Sequence, residues 1–333
     1  MRFGFSHHPA EHYSRHVDLI RHAEAIGFDT AWVPDQTYYR DPYVMLAAFA
    51  AATETIELGL AVTNPFTRHP TTTARCVATV AEFAPGRMRL GFGAGNRREL
   101  LDPLDLPLDD TPGRCVEAAE IVRGMLAGER LDYAGRHYRA RGVALEFEAD
   151  RVPIYIAGRG RGMLRAAGQV ADGGIAGGLS PPAGVAYAWR EIARGAARTG
   201  RDERALEVVS WVMCQVTDDR AGAADSVRPM VAHIIGGAPV DMLIEVGLGE
   251  ALVATIKRAY AAGGKEAAAK HVTDECVDTF TLLGDAEQCL ERVRALERAG
   301  VTQFGLLLPP GTVDQHRARL DRFAETVIAG YRA

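Results

Sequence analysis

DAEQCLERVRALERAGVTQFGLLLPP, residues 285–310, is the stretch that decides the fold. Asp285, with Gln288 three positions on, is a helix-start signature in which the two side chains satisfy each other's otherwise unpaired backbone N–H groups. Leu290, Val293 and Leu296 then recur at helical spacing, Gly300 ends the helix, and Gln303 to Leu308 reads as an apolar strand closed by Pro309-Pro310. Helix, glycine, short gap, strand and proline-bearing loop make one unit of a parallel α/β sheet.

Working outward, the same phrase stands near the start of the chain. Leu19, Ala23 and Ile26 line one helix face, Gly27 stops the helix, and Thr30 to Val33 forms a strand broken at Pro34. Further strands are expected at about 56–61, 88–92, 153–157, 173–176 and 207–216, and Arg2 to Phe5 makes eight. Eight βα repeats favour a (β/α)8 TIM barrel over an open doubly wound sheet, because closure leaves no exposed edge. The 333 residues allow one domain or two by length, and the unbroken rhythm favours a single barrel domain over 1–333. Two segments interrupt it. Tyr133 to Phe147 resembles a hairpin inserted before the fifth strand, and 217–280 holds helices with a Gly263-Gly264 excursion. Insertions of this kind are expected at the C-terminal end of the strands, where they enlarge the substrate-binding loops.

Composition narrows the function. A hydrophobic fraction of 47% supports a full core, while a net charge of −5 without any basic run argues against nucleic acid or a membrane surface as partner. Five scattered cysteines, Cys76, Cys115, Cys214, Cys276 and Cys289, lack CxxC spacing and read as free thiols of a cytoplasmic protein. The first residues enter a strand directly, so no secretory leader is expected, and no run of 18 apolar residues suggests a membrane span. Neither HExxH nor another ligand spacing points to a metal.

A barrel places its chemistry after the strand C-termini. His7 and His8 follow the first strand; neighbours in an extended chain point to opposite sides, so one of them at most faces a ligand. Asp35 follows the second strand, where it can handle a proton or hold a polar ring edge; a turn or cap carboxylate is the alternative. Trp32 is expected in the core. Gly91-Phe92-Gly93-Ala94-Gly95 lacks the full GxGxxG, and what survives is room for a flat ring against bare backbone. Gly158-Arg159-Gly160-Arg161-Gly162 opens a helix whose free N–H groups suit a phosphate, with Arg159, Arg161 and Arg165 as local charge, unless this is only a solvated basic helix start.

Asp35, Ala61-Val62-Thr63-Asn64-Pro65-Phe66-Thr67-Arg68-His69-Pro70, Gly91 to Asn96 and Ile154 to Gly158 together resemble the luciferase-like monooxygenase superfamily, within it the coenzyme F420-dependent branch typified by methylenetetrahydromethanopterin reductase. The resemblance implies a barrel whose mouth holds a deazaflavin ring, with FMN as the alternative cofactor. It implies a cis Ala61–Val62 peptide behind that ring, Asp35, Thr63, Gly93, Gly95 and Asn96 lining it, and Gly158, Gly160 and Gly177 around its phosphate. Asp35 and His69 become the candidates for proton handling, although His69 can equally pack at the helix start behind Pro70. Where the family's sugar-phosphate dehydrogenase has histidine after the aspartate, this chain has Gln36, which disfavours a sugar substrate. The expected activity is hydride transfer between reduced F420 and a small organic substrate with a C=C, C=N or C–OH centre, in a homodimer. An FMN-dependent monooxygenase and a flavin-binding barrel without turnover are the competing expectations.

Overall fold

A computed structural model describes residues 1–35 and 38–333, apart from the side chains of Arg98 and Glu99. Its strands are β1 (Arg2–Ser6), β2 (Thr30–Val33), β3 (Glu57–Thr63), β4 (Met88–Phe92), β5 (Leu131–Ala134), β6 (Arg139–Val143), β7 (Ile154–Ala157), β8 (Gly173–Gly177), β9 (Glu207–Val216), β10 (Thr281–Gly284) and β11 (Gln303–Leu307). The principal helices are α1 (Tyr13–Ala25), α2 (Pro42–Ala50), α3 (Pro70–Phe83), α4 (Thr111–Leu126), α5 (Arg161–Val170), α6 (Pro182–Arg198), α7 (Arg220–Gly237), α8 (Val240–Glu245), α9 (Glu250–Ala269), α10 (Asp274–Phe280), α11 (Ala286–Arg298) and α12 (Val313–Phe323).

Eight strands close a parallel ring in the order β1-β2-β3-β4-β7-β8-β9-β11, with β11 returning to β1 in the register Arg2↔Gln303 to Ser6↔Leu307. The expected barrel is therefore present. The capping box of Asp285 and Gln288 starts α11 as anticipated. The hairpin is also present, as antiparallel β5 and β6.

Two features differ from the sequence expectation, and the Gly263-Gly264 excursion agrees with it. β3 runs on to Thr63, two residues past the expected end, and its register against β4 slips between Leu60 and Thr63. β10 was not anticipated, since Leu282-Leu283 is too short an apolar run to announce a strand. It pairs with Met213 to Val216, the outer half of the ten-residue β9, whose inner half belongs to the barrel. The Gly263-Gly264 pair interrupts α9 with non-helical dihedrals, as a glycine pair inside a helix does when the chain must bend.

The core has two shells, because successive strand residues face alternately into the barrel and out to the helices. Trp32, Ala61, Tyr155, Ile175 and Val209 fill the interior. Trp32 lies flat over Gly59, where any Cβ would sit 2.0 Å from the indole, so only glycine fits beneath it. Its N–H donates to Gln303 (3.0 Å), which donates onward to Thr30 (2.7 Å), so this buried indole is paired.

Candidate active site at the C-terminal rim

The rim is assembled from strand ends that are direct neighbours in the ring. Asp35 follows β2, and its Oδ2 accepts a hydrogen bond from Thr63 Oγ1 at the end of β3 (2.8 Å). The Thr63 carbonyl accepts from Gly93 N beyond β4 (2.8 Å). Gly158 N, beyond β7, donates to Ile175 O of β8 (3.1 Å), and Gly177 ends that strand. Asp35, Thr63, Gly93, Gly158 and Gly177 thus share one end of the barrel, as the sequence expected.

The Ala61–Val62 peptide is cis, in agreement with the resemblance, and lies within the register slip between β3 and β4. Val62 points across to β4, where a Cβ on Gly93 would come within 2.5 Å of its Cγ2. Glycine at 93 is therefore a packing requirement of Val62. Gly95 takes a left-handed φ of 72° and sits over Asn64, whose own Oδ1 caps the turn by accepting from the amides of Phe66 and Thr67, both at 3.0 Å. Asn96 is partly exposed beside them, and its carbonyl starts the helical turn at Arg97–Leu101.

Burial raises the Asp35 carboxyl above its ordinary value, opposed by the Thr63 hydroxyl and the Arg68 charge and reinforced by Asp41. Arg68 pairs with Asp41 and lies over the Tyr43 ring, 4.7 Å from its centroid. Asp41 in turn caps α2 through the amides of Tyr43 (2.9 Å) and Val44 (3.2 Å). Arg68 and Tyr43 were not singled out in the sequence. Arg68 lies inside the quoted run at 61–70, so its signal was present, whereas Tyr43 carried none beyond following Asp41-Pro42.

His69 is engaged as the N-cap of α3. Its Nδ1 accepts from Thr71 N (3.3 Å), contacts Thr71 Oγ1 (2.8 Å), and the ring stands edge-on to Tyr138 at 5.5 Å. This is the helix-start placement weighed as its alternative. Of the two adjacent histidines, His7 is buried among Phe5, His16, Phe49 and His316 in the outer shell, and His8 is partly exposed against Tyr39. Gln36 lies outside the described residues.

The arginines after β7 separate. Arg161 forms an ion pair with Asp241 of α8 (2.8 Å), and Arg165 one with the buried Glu191 (2.7 Å). Arg159 has no carboxylate at ion-pair distance among the described residues, and burial lowers its guanidinium below the ordinary value. Gly160 caps α5 without any side-chain bond, leaving the first amides of that helix pointing outward. At Gly177 an added Cβ would meet open space. The described residues hold no group of three or more His, Cys, Asp or Glu arranged for a metal.

Comparison with known proteins places this rim in context. A profile of the luciferase-like monooxygenase family matches residues 1–303. The chain is 34% identical over 307 residues to the 5,10-methylenetetrahydromethanopterin reductase of Archaeoglobus fulgidus, covering 91% of this chain and 92% of that protein. It is 30% identical over 325 residues to the F420-dependent glucose-6-phosphate dehydrogenase of Beutenbergia cavernae, covering 93% and 91%. The solved coenzyme F420-dependent tetrahydromethanopterin reductase of Methanopyrus kandleri superposes with a TM-score of 0.87 over 99% of both chains at 25% identity. The barrel, the cis bond beside Gly93 and the matches along the whole length agree: the chain belongs to the luciferase-like monooxygenase family.

Proposed function

We propose that this chain is an oxidoreductase that transfers a hydride between coenzyme F420 and a small organic substrate with a C=C, C=N or C–OH centre. The observation that carries the reading is the conjunction of a hydrogen-bonded, half-buried carboxyl at Asp35 with the cis Ala61–Val62 peptide and the exposed backbone of Gly95. The F420-dependent names of the Beutenbergia dehydrogenase and the Methanopyrus reductase support the cofactor. The residues present fit such a group: the exposed Gly95 offers no side chain to a flat ring, nor does Gly177, where an added Cβ would meet open space, and Arg159 offers a cation lacking an acidic partner among the described residues.

In this reading Ala61, Val62 and Thr63 back the ring, Gly93, Gly95 and Asn96 flank it, and Gly158, Gly160 and Gly177 give its phosphate close access to backbone. The bound deazaflavin supplies the hydride carrier at a ring carbon. The protein's own share is position, exclusion of water and one proton. Asp35 holds that proton or fixes the ring edge, and burial keeps its carboxyl protonated to higher pH than a solvated aspartate. Arg159 serves the cofactor's anionic part in preference to Arg161, whose guanidinium Asp241 already neutralises. His69 acts as a helix cap that can still present its second nitrogen. We further propose a homodimer working in the cytoplasm, where the five unpaired cysteines stay reduced.

The test is cofactor affinity. F420 is expected to bind the wild type in preference to FMN, and Arg159→Ala to weaken F420 binding by roughly 10- to 150-fold, the range for loss of a charge-assisted contact. Preferential binding of FMN would overturn the cofactor assignment, and unchanged F420 affinity in Arg159→Ala would remove that arginine from the cofactor's anion site.

A further inference from the structure

The carboxyl at the rim has neighbours that its own hydrogen bond does not account for. Thr63 is fully buried and spends its only hydroxyl hydrogen on Asp35, which leaves its oxygen free to accept. Two further hydroxyls are buried nearby without a hydrogen bond of full geometry, Tyr43 Oη from α2 and Thr73 Oγ1 from α3. The Thr73 and Thr63 hydroxyls are nonetheless close enough to Tyr43 to counter the rise that burial imposes on its phenol, and the Asp35 charge is felt there as well. A buried phenol normally finds a partner, so an orphaned one beside a hydroxyl with a spare acceptor is unusual. Its ring is held in place by the Arg68 guanidinium stacked on it, and Arg68 is held by Asp41.

We propose that Tyr43 is a positioning residue for Asp35: its hydroxyl donates to Thr63, which thereby donates more strongly to the carboxylate, so that the series Tyr43–Thr63–Asp35 sets how readily Asp35 takes and gives up its proton. The inference rests on the proton role given to Asp35 above. Hydrogen bonds in series polarise one another, and a donor to the charged form favours that form. Tyr43 therefore opposes the burial that favours the neutral acid. The other charges facing this carboxyl are Arg68, which favours ionisation, and Asp41, which disfavours it. Neither passes through Thr63, so the Tyr43 contribution is separable from theirs.

The experiment is a pH titration of the protein without cofactor, labelled with carbon-13 at aspartate carboxyls, with the Asp35 signal identified by its loss in Asp35→Asn. Tyr43→Phe removes one oxygen and keeps the ring under Arg68. It is expected to increase the proton affinity of Asp35 by roughly three- to ten-fold, the equivalent of one ordinary hydrogen bond. Thr63→Val should raise it as well, and adding Tyr43→Phe to Thr63→Val should change it no further. The limb of the turnover profile that reports Asp35 should move up in pH with the titration. An unmoved Asp35 in Tyr43→Phe, or an equal rise with and without Thr63, would overturn the proposal. Because the titration needs neither cofactor nor substrate, it is read independently of the hydride-transfer assignment. Normal turnover in Asp35→Asn would sink the proton role given to Asp35 while leaving the measured link between Tyr43 and Asp35 in place.

Discussion

Asp35 combines a chemical role with a structural cost. Burial raises its carboxyl above the ordinary value, so the folded chain binds this proton more tightly than the unfolded chain does. A group of that kind contributes its stability below the unfolded value and loses it as pH rises through the folded one. At neutral pH the ionised carboxylate is then a burden on the fold. Asp35→Asn is expected to raise the melting temperature at pH 7.5 while lowering turnover by about 10²–10⁴-fold, the range for removal of an acid–base group. Calorimetry and steady-state kinetics on the same variant check both. Full turnover would mean that the amide serves as well as the acid and that no proton passes through position 35.

Among the elements, the seam between β1, α1 and α12 carries a histidine chain whose tautomers follow from its partners. Glu11 N–H donates to His16 Nε2 (3.0 Å), so the His16 proton sits on Nδ1 and is given to His7 Nε2 (3.1 Å). His7 keeps its remaining proton on Nδ1, buried without a hydrogen-bond partner, and His316 donates from Nε2 to Pro309 O (3.1 Å). Burial depresses all three, His16 to about 4. With folded values below the usual 6.5, their contribution is intact above that pH and is lost as pH falls toward 4. Thermal melts should therefore show a stability loss starting below about pH 6.5 and reduced in His7→Phe, which keeps an aromatic ring against Phe5. A melting temperature flat down to pH 5 would contradict it. What was legible at this scale was the repeat itself: Asp285 with Gln288, and glycines at 27 and 300, are local signals that the fold obeys. The histidine chain was not legible, because His7, His16 and His316 meet only after the barrel closes. The resemblance set Asp35 and Thr63 along one ring without announcing the hydrogen bond between them, and the neutralisation of Arg161 by Asp241 depends on where α8 folds back, which no local pattern specifies.

For the molecule as a whole, closure of the ring joins its two ends. The Met1 amino group donates to Glu297 (3.2 Å) and to Tyr331 Oη (2.8 Å), and Phe304 stacks on Phe323 at 5.5 Å behind the β11–β1 ladder. A barrel sealed this way cannot lose one strand without opening the rest, and the 217–280 insertion is fastened to it through β9 and β10. One calorimetric unfolding transition for residues 1–333 is the expected outcome, and two separable transitions would make the insertion a domain of its own. The length of β9 also bears on how this protein could be remade. Its inner half is barrel wall, while its outer half, Met213 to Val216, is the splint on which β10 lies. A chimera that trades the helical segment for a relative's would have its natural cut points just before Met213 and just after Gly284, so that both strands of the joint come from the same parent. Cuts at 217 and 280 would leave a foreign segment hinged on a native joint, and cuts through Met213 to Val216 would divide the joint itself.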